Sequence, residues 1–362
     1  MISLESIVEA ALNNRTVAKE SAAMDEEQIK IAVVGVGGGG NNTLSRLQKM
    51  GVKGATLIAV NTDHQHLKIL PEGIDKILIG KSITRGLGAG GYPEVGQKCA
   101  EVDRKVLEER LAGCHLVFIC AGMGGGTGSG ASPVIADIAR KQGAIVASMV
   151  TYPFALERAR TFKADESIAK LRENSDTVII LDNNRLVELV PNLPMNQAFA
   201  VADEILAKAV DGLVFTITQP SLVNIDFADV KAVMGNGDVG MIAVGTGKGP
   251  NKVESAVMGV KENRLLDVDF AGAKGAIIHI AGGADLTLGD AIRAGELITE
   301  EMDPHASVKW GARLIPSYEG KLEVTAIVTG VSSPHITGRH DAILQQRKAE
   351  KTQVKNEIIA IG

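Results

Sequence analysis

The chain has 362 residues, of which 45% are hydrophobic and 22% charged, with a formal net charge of −5. This composition indicates a globular protein with room for two domains, and the absence of a basic block argues against a nucleic-acid-binding surface. No apolar run reaches the ~18 residues that a membrane-spanning helix needs, and the opening MISLESIVEA lacks the features of a signal peptide. We therefore expect a cytoplasmic protein that neither inserts into a membrane nor binds nucleic acid.

The first half of the chain alternates apolar strands with amphipathic helices, after a polar stretch over residues 1–29. Near-continuous apolar runs predict strands at 30–36, 55–60, 116–121, 144–150 and 177–182. Such runs are typical of a parallel sheet that is covered on both faces. Helical patterns occupy 93–111 and 162–173 between them. The alternation predicts an α/β domain with a doubly wound, mostly parallel sheet.

A long central helix follows. Seven side chains of the segment 196–214 share one face at three- and four-residue spacing: Phe199, Ala202, Ile205, Leu206, Ala209, Val210 and Leu213. Pro220 ends this helix. Beyond it we expect strands at 240–247, 276–282, 307–315 and 321–330, with helices at 252–266 and 288–302. This order predicts a smaller α+β domain with its own core.

The stretch AGMGGGTGSGASP (121–133) places six glycines in its first ten residues. It follows an apolar strand and precedes a helical pattern, with Ser132 expected as the N-cap and Pro133 as the first helical residue. Glycine turns between a strand and a helix N-terminus bind phosphate, because backbone N–H groups can approach the anion closely. Thr127 and Ser129 could add hydroxyl donors. This stretch therefore predicts a phosphate-binding loop.

A second glycine turn follows the first strand, where Gly35, Gly37 and Gly40 satisfy G-x-G-x-x-G. With Asp63 as a ribose-binding acid, this turn would fit an NAD-dependent oxidoreductase, which is the alternative hypothesis. A third glycine-rich turn at 85–91, however, favours a polyphosphate ligand over a dinucleotide. His64 and His66, close to Asp63, lack further metal ligands and are interpreted as exposed loop histidines.

The segment 224–229, here called the acidic loop, contains Asn224, Asp226 and Asp229. These side chains could orient water, but taken in isolation the segment favours Asp226 or Asp229 as the N-cap of the following helix. A helix of about twenty residues is ~30 Å long, so the acidic loop cannot reach the phosphates bound by its own chain. It could reach those of a neighbouring subunit stacked head to tail, an arrangement that builds a filament.

These motifs together resemble those of the FtsZ family, the tubulin-like cell-division GTPases, from about residue 30 to residue 338. The resemblance is carried by GVGGGGNN, NTD, TRGLGAGG, GGGTGSG, PF with a following glutamate, NQAFAVADEIL and NIDFADVKAVM. The pair formed by GGGTGSG and NxDFAD is highly specific, and PFALERAR is more similar to archaeal members. The resemblance implies a tubulin/FtsZ-like fold, GTP as ligand, and hydrolysis to GDP and phosphate coupled to filament assembly.

The resemblance also implies roles for individual residues. Those expected at the phosphates are Gly38, Gly39, Gly40, Asn41, Asn42, Gly124, Gly125, Gly126, Thr127 and Gly128. Glu157 is expected at the ribose, and the residues expected around guanine are Asn42, Asn183, Phe199 and Asp203. The Asp203 carboxylate can accept bonds from guanine N1–H and N2–H. Asn224, Asp226 and Asp229 of the next subunit would orient water near a γ-phosphate that carries Mg²⁺.

The sequence departs from the family pattern after Glu157. Arg158 stands where the family often has glycine, and Thr161 stands where it has an arginine. Arg160 or Arg158 would have to replace that arginine.

The expected organisation has five parts: an N-terminal extension (1–29), a GTP-binding domain (30–195), the central helix (196–219), a second α+β activation domain (220–337) and a tail (338–362). The expected partners are further copies of the chain, head to tail, and membrane-anchoring division proteins at a mid-cell ring. A filament protein that binds GTP but hydrolyses it weakly remains a further alternative.

Overall fold

The computed structural model describes residues 29–218, 222–223, 225–235, 239–261 and 270–331. The N-terminal extension apart from residue 29, the tail, Pro220 and Asn224 lie outside the described residues. Nothing in the described part of the chain is a helix long and apolar enough to span a bilayer.

Ten strands and twelve α-helices make up the described chain. The strands are β1 Ile31–Val36, β2 Ala55–Asn61, β3 Asp75–Leu78, β4 Leu116–Gly122, β5 Ile145–Tyr152, β6 Thr177–Asp182, β7 Val239–Lys248, β8 Gly275–Gly282, β9 Ser307–Leu314 and β10 Lys321–Thr329. The helices are α1 Gly37–Met50, α2 His64–Lys68, α3 Lys81–Thr84, α4 Pro93–Val102, α5 Arg104–Leu111, α6 Thr127–Lys141, α7 Ala159–Asn174, α8 Asn183–Leu189, α9 Met195–Thr218, α10 Phe227–Met234, α11 Lys252–Lys261 and α12 Leu288–Thr299.

All ten strands belong to one sheet in the order β3-β2-β1-β4-β5-β6-β7-β10-β8-β9. The strands from β3 to β7 are parallel, and β10 runs antiparallel to both β7 and β8. The apolar runs of the first half are buried on both sides, as their composition requires. This confirms the predicted doubly wound, mostly parallel α/β fold.

Helices cover both faces of the first half of the sheet, and the second half has a core of its own between its strands and helices α11 and α12. The capping box that begins α12 is formed by Thr287 and Asp290, with the Asp290 N–H donating to Thr287 Oγ1 at 3.0 Å. The two halves of the sheet meet where β6 pairs with β7 through Val178↔Val239 and Ile179↔Gly240. The proposed boundaries of the two domains stay a prediction.

The predicted start of helix α6 is wrong. The helix begins at Thr127, so Ser132 and Pro133 lie within it, and Ser132 Oγ donates to the Gly128 carbonyl at 2.6 Å. Glycines in its first turns serve packing: a Cβ on Gly130 would lie 1.9 Å from the Pro93 carbonyl oxygen of α4. The helix therefore starts inside the glycine run, not after it.

Three other features differ from the sequence predictions. The helical stretch 93–111 is two helices, which meet at Asp103. Strand β3 was not predicted, because its four residues at the sheet edge carry no apolar run. On α9, Phe199 is 41% exposed and does not share the buried face of Ala202 and Leu206.

Candidate functional site

Two glycine turns touch each other at the carboxyl ends of β1 and β4. Gly37 has a φ of +72°, and a Cβ there would lie 2.9 Å from the backbone nitrogen of Gly128. A Cβ on Gly39 would lie 3.2 Å from the backbone nitrogen of Gly122. Only glycine permits this approach of two backbones. The glycines beyond Gly37 form the first turn of helix α1, so its N-terminus opens directly onto this junction.

The third glycine turn joins the same junction. Thr62 Oγ1 lies 2.7 Å from Thr127 Oγ1, and the Gly88 N–H donates to the Thr62 carbonyl at 3.1 Å. A Cβ on Gly126 would lie 2.8 Å from Ala89 Cβ. The turns 37–40, 85–91 and 124–128 therefore meet at one junction, and the surface that they form, open at Gly125, is here called the glycine cleft.

The two expected hydroxyl donors of the cleft are engaged within the protein. Thr127 is paired with Thr62, and Ser129 is 1% exposed, with its Oγ accepting the Gly124 N–H at 2.8 Å. Ser129 therefore shapes the turn from inside. Gly125 is different, because nothing lies within 4 Å of the position that its Cβ would take.

His66 was missed as a neighbour of the cleft. It lies in α2, and its Nε2 would be 3.8 Å from a Cβ on Gly38, beside the first glycine turn. Its ring is half-buried, with Nδ1 inaccessible and lacking a hydrogen-bond partner among the described residues. The expectation of exposed loop histidines is therefore wrong for His66; His64 is exposed as expected, but it begins helix α2 instead of lying in a loop.

Asp203 lies on α9 and faces α1. Its Oδ1 accepts a hydrogen bond from Thr43 Oγ1 at 3.4 Å. Burial raises the pKa of Asp203 to about 6, while the Thr43 bond and the Arg46 charge act in the opposite direction. Thr43 was not among the predicted site residues, because a contact across 160 positions leaves no local signal. A half-buried carboxylate with free acceptor capacity remains at this end of the cleft.

Aromatic and amide groups lie around the same region. Phe199 meets Phe154 edge to face, with ring centroids 5.8 Å apart. Asn183 begins α8 directly after β6, and its Oδ1 is buried. Asn41 in α1 is fully buried. The Asn183 Oδ1 and both polar atoms of the Asn41 amide have no hydrogen-bond partner among the described residues. Orphaned polar groups are costly, so a polar ligand that supplies partners fits this region.

Glu157 and its neighbours form a compact turn after β5. The Glu157 carboxylate accepts the Phe154 N–H at 3.1 Å and forms an ion pair with Arg160. Arg158 has a φ of +32°, a backbone conformation that favours glycine. This explains why glycine suits position 158. Of the two arginines considered, Arg160 is the one that forms an ion pair with Glu157.

The acidic loop lies elsewhere. Asp226 caps α10, with its Oδ1 accepting the Asp229 N–H at 2.7 Å. Asp229 Oδ1 lies 2.7 Å from Lys309 Nζ of β9. Both acids therefore have structural contacts, in agreement with the capping alternative for Asp226. Lys309 was missed because it is 80 positions from Asp229.

The position of the loop relative to the sheet follows from one aromatic contact. Phe227, the residue after Asp226, packs edge to face on His115, with ring centroids 5.9 Å apart. His115 immediately precedes β4, whereas the glycine turn follows the carboxyl end of the same strand. Seven strand residues span roughly 23 Å. The acidic loop therefore lies at the amino end of β4 and the glycine cleft at the carboxyl ends of β1 and β4, on opposite sides of the sheet along the strand direction.

Comparisons with known proteins agree with this arrangement. The chain matches the "Tubulin/FtsZ family, GTPase domain" over residues 30–191 and the "FtsZ family, C-terminal domain" over residues 238–332. Cell division protein FtsZ 2 of Methanocaldococcus jannaschii is 58% identical over 315 residues, which cover 86% of this chain and 83% of that protein. The Haloferax volcanii FtsZ 2 is 49% identical over 324 residues, covering 90% and 80%. A solved empty FtsZ dimer of M. jannaschii is 41% identical with a TM-score of 0.79, covering 91% of this chain and 92% of that one.

Fold, cleft and matches define a tubulin-like GTPase. More particularly, the chain belongs to the FtsZ family of cell-division GTPases. The predicted resemblance, GTPase activity and GTP/GDP binding are thereby confirmed, and the oxidoreductase alternative is not supported. The solved dimer also shows that relatives of this chain self-associate.

Proposed function

We propose that this chain hydrolyses GTP at the junction between two subunits stacked head to tail, with the acidic loop of one subunit completing the glycine cleft of the next. The observation that carries the proposal is the placement of the loop. The contact between Phe227 and His115 holds it at the amino end of β4, roughly 23 Å from the glycines at the carboxyl end. One subunit cannot bring both to the same phosphate, whereas head-to-tail stacking brings them together at every junction.

Within the cleft, the backbone N–H groups of the two adjoining glycine turns would hold the phosphates. Those turns comprise Gly38, Gly39, Gly40, Asn41 and Asn42, together with Gly124, Gly125, Gly126, Thr127 and Gly128. The open space at Gly125 and the exposure of Gly38 and Gly39 support this assignment. Mg²⁺ would be held by the phosphate oxygens and would offset their charge.

Guanine would lie at the α9 end of the cleft. The Asp203 carboxylate would accept bonds from N1–H and N2–H, a donor pair that adenine does not present. Phe199 is exposed enough to stack on the base, and Asn183 and Asn42 would complete the polar contacts. Glu157, held in place by Arg160 and the Phe154 N–H, would bind the ribose.

The acidic loop of the neighbouring subunit would position water for attack. The water oxygen forms a bond to the γ-phosphorus as the bond to the β–γ bridging oxygen breaks, GDP leaves with that electron pair, and the proton of the attacking water passes to solvent, which leaves inorganic phosphate. Asp229 and Asp226, with Asn224, would align the water in line with the leaving oxygen. Positioning of this kind supplies much of the catalysis in phosphoryl transfer.

In the cell, we propose that these filaments form a mid-cell ring in the cytoplasm and are recruited by membrane-anchoring division proteins. The division of the chain at residues 195 and 220 into a GTP-binding domain, a central helix and an activation domain belongs to the same proposal. The separate core of the second half and the short pairing between β6 and β7 support it.

The experiment that tests the junction is phosphate release measured against protein concentration. The rate per subunit should rise steeply above a threshold at which filaments form, with sedimentation showing the same threshold. A dilute preparation that sediments as monomer and hydrolyses GTP at the full rate would overturn the proposal.

A mixing experiment tests the two half-sites separately. Asp226→Ala removes one acid of the loop, and Gly125→Glu places a negative charge at the cleft, at a position where a Cβ meets nothing within 4 Å. Each variant alone should be nearly inactive, and mixtures should recover part of the activity, since one contributes intact acids and the other an intact cleft. Failure to recover activity at every ratio would argue against a shared site.

Asp229→Ala distinguishes hydrolysis that depends on the acidic loop from the alternative of a filament protein that hydrolyses GTP only weakly. If hydrolysis depends on the loop, this variant binds GTP and sediments as filaments, but its phosphate release falls about 100-fold or more. Unchanged phosphate release in the Asp229→Ala filaments would remove the catalytic role of the loop.

A further inference from the structure

Lys309 is the basic group in direct contact with the acidic loop. Its Nζ lies 2.7 Å from Asp229 Oδ1, and the hydrogen bond to Asp229 raises the pKa of the lysine. The Lys309 side chain is 39% exposed and that of Asp229 is 28% exposed. The ammonium group therefore lies at the surface of the subunit, beside the carboxylate that the proposed function assigns to catalysis.

The acidic loop is anchored on the strand that carries Lys309. Val223 pairs with Ala312 of β9 in an isolated antiparallel bridge, and the Leu222 N–H donates to the Ala312 carbonyl at 2.8 Å. Helix α10 packs on β8 and β9. The loop and Lys309 would therefore reach a neighbouring subunit together, as parts of one surface.

A second cation beside Mg²⁺ would offset the negative charge that the acidic loop brings to the phosphates. Two carboxylates that approach a triphosphate repel it, and the excess negative charge on the phosphoryl oxygens must be offset for water to attack. Lys231 is also basic, but it lies exposed in the last turn of α10, and no ion pair connects it to either acid among the described residues. Lys309 already neutralises Asp229 and shares its surface.

We propose that Lys309 of one subunit enters the glycine cleft of the next together with Asp229, and that its ammonium group binds the terminal phosphate of GTP as a catalytic cation supplied in trans. The inference rests on the proposed function of the acidic loop. In the free subunit the ammonium is held by Asp229. At the junction it would bridge the Asp229 carboxylate and a γ-phosphate oxygen, since an ammonium group has three hydrogen-bond donors.

The test compares Lys309→Met, which keeps an unbranched side chain as far as Cε and removes the ammonium group, with Lys309→Arg, which keeps the charge. At protein concentrations that give filaments, the Met variant should release phosphate about 100-fold more slowly, the scale of losing one charge-stabilising group at a reacting phosphate. GTP binding to the monomer should not change. The Arg variant should recover at least about a tenth of the wild-type rate.

A matched control is Lys321→Met. Lys321 begins β10, and its register partners place it six residues along the sheet from the level of Lys309, or roughly 20 Å. This variant should release phosphate at the wild-type rate. Melting temperatures of all three variants should agree with the wild type, which would exclude unfolding as the cause of any loss.

Mixing shows whether Lys309 acts in trans. Gly125→Glu subunits have an intact Lys309 and a blocked cleft, so adding them to Lys309→Met subunits should raise phosphate release. No increase at any ratio would overturn the trans role of Lys309. If Lys309→Met filaments hydrolyse GTP normally while Asp229→Ala filaments do not, the inference about Lys309 fails and the proposed function stands. If both hydrolyse GTP normally, the proposed function fails as well.

Discussion

Asp203 links nucleotide recognition to the stability of the empty protein. Burial raises its pKa from the ordinary 3.8 to about 6. Because the folded-state pKa is above the unfolded one, ionising this carboxyl costs more free energy in the folded state than in the unfolded state, and the difference is lost from the stability. The cost is absent below about pH 3.8, grows between the two pKa values and is complete above about pH 6. With ~1.4 kcal/mol for each pKa unit, it reaches about 3 kcal/mol at pH 8 and about half of that at pH 5.

Asp203→Asn removes the charge and keeps the acceptor for Thr43 Oγ1. We therefore expect the nucleotide-free variant to have a free energy of unfolding about 3 kcal/mol above the wild type at pH 8 and about 1.5 kcal/mol above it at pH 5. Urea unfolding at the two pH values, after removal of nucleotide, measures both differences. Equal free energies of unfolding of the two proteins at pH 8 would show that burial does not destabilise the ionised Asp203 carboxylate.

The same variant should change the preferred base. Asparagine offers one acceptor and one donor, so its N–H₂ group opposes the N2–H₂ of guanine but matches the C2 carbonyl of xanthine. We expect GTP affinity to fall about 100-fold and XTP to become the better ligand, as measured by competition binding. If Asp203→Asn still preferred GTP to XTP, Asp203 would not contact the base edge.

Three further predictions concern glycine packing, backbone strain and a buried histidine. Gly130→Ala should lower the free energy of unfolding by more than about 3 kcal/mol, because its Cβ would overlap the Pro93 carbonyl oxygen. Gly125→Ala should keep a free energy of unfolding within about 1 kcal/mol of the wild type but bind GTP at least about 10-fold more weakly. Similar urea unfolding curves for the two variants would contradict this. Arg158→Gly should raise the free energy of unfolding by about 1 kcal/mol, since relief of the positive φ outweighs the entropy of glycine, and a less stable variant would refute it. Burial lowers the pKa of His279 to about 3, so this side chain should cost about 2 kcal/mol of folding stability between pH 8 and 5, against the gain of about 1.5 kcal/mol from Asp203 over the same range. The free energy of unfolding of His279→Leu relative to wild type should therefore rise by about 2 kcal/mol between pH 8 and 5 in urea unfolding, and a constant difference would count against it.

Much of the fold could be predicted because its strands are buried on both faces. The apolar runs at β1, β2, β4, β5 and β6 stand out from the amphipathic helices around them. Strand β3 gave no such signal, since an edge strand of four residues needs little apolar surface. The start of helix α6 was mispredicted for a different reason. Ser132 and Pro133 have the residue types of an N-cap and a first helical position, but the helix begins at Thr127, and the close packing of its Gly130 on Pro93 requires glycine.

Site residues that belong to sequence motifs could be predicted. Their partners could not, because those partners come close only through tertiary contacts. The glycine turns and Asp203 lie in recognisable segments. Their partners do not: Thr43 lies 160 positions from Asp203, and Lys309 lies 80 positions from Asp229. The acidic loop was correctly placed away from the glycines by helix length alone, and the contact of Phe227 with His115 supplies an independent reason.

The narrow junction in the middle of the sheet has a mechanical consequence. Strands β6 and β7 share two residue pairs, whereas β5 and β6 share six and β7 and β10 share nine. Among the described residues, fewer residue pairs join the two halves at this line than join any other two neighbouring strands of the sheet, so we expect it to offer the least resistance to twisting. Helix α9, 24 residues and about 36 Å long, packs against α1 and also against β7. The contact of Asp203 with α1 and the contact of α9 with β7 therefore lie on one continuous helix that spans the shortest backbone ladder of the sheet.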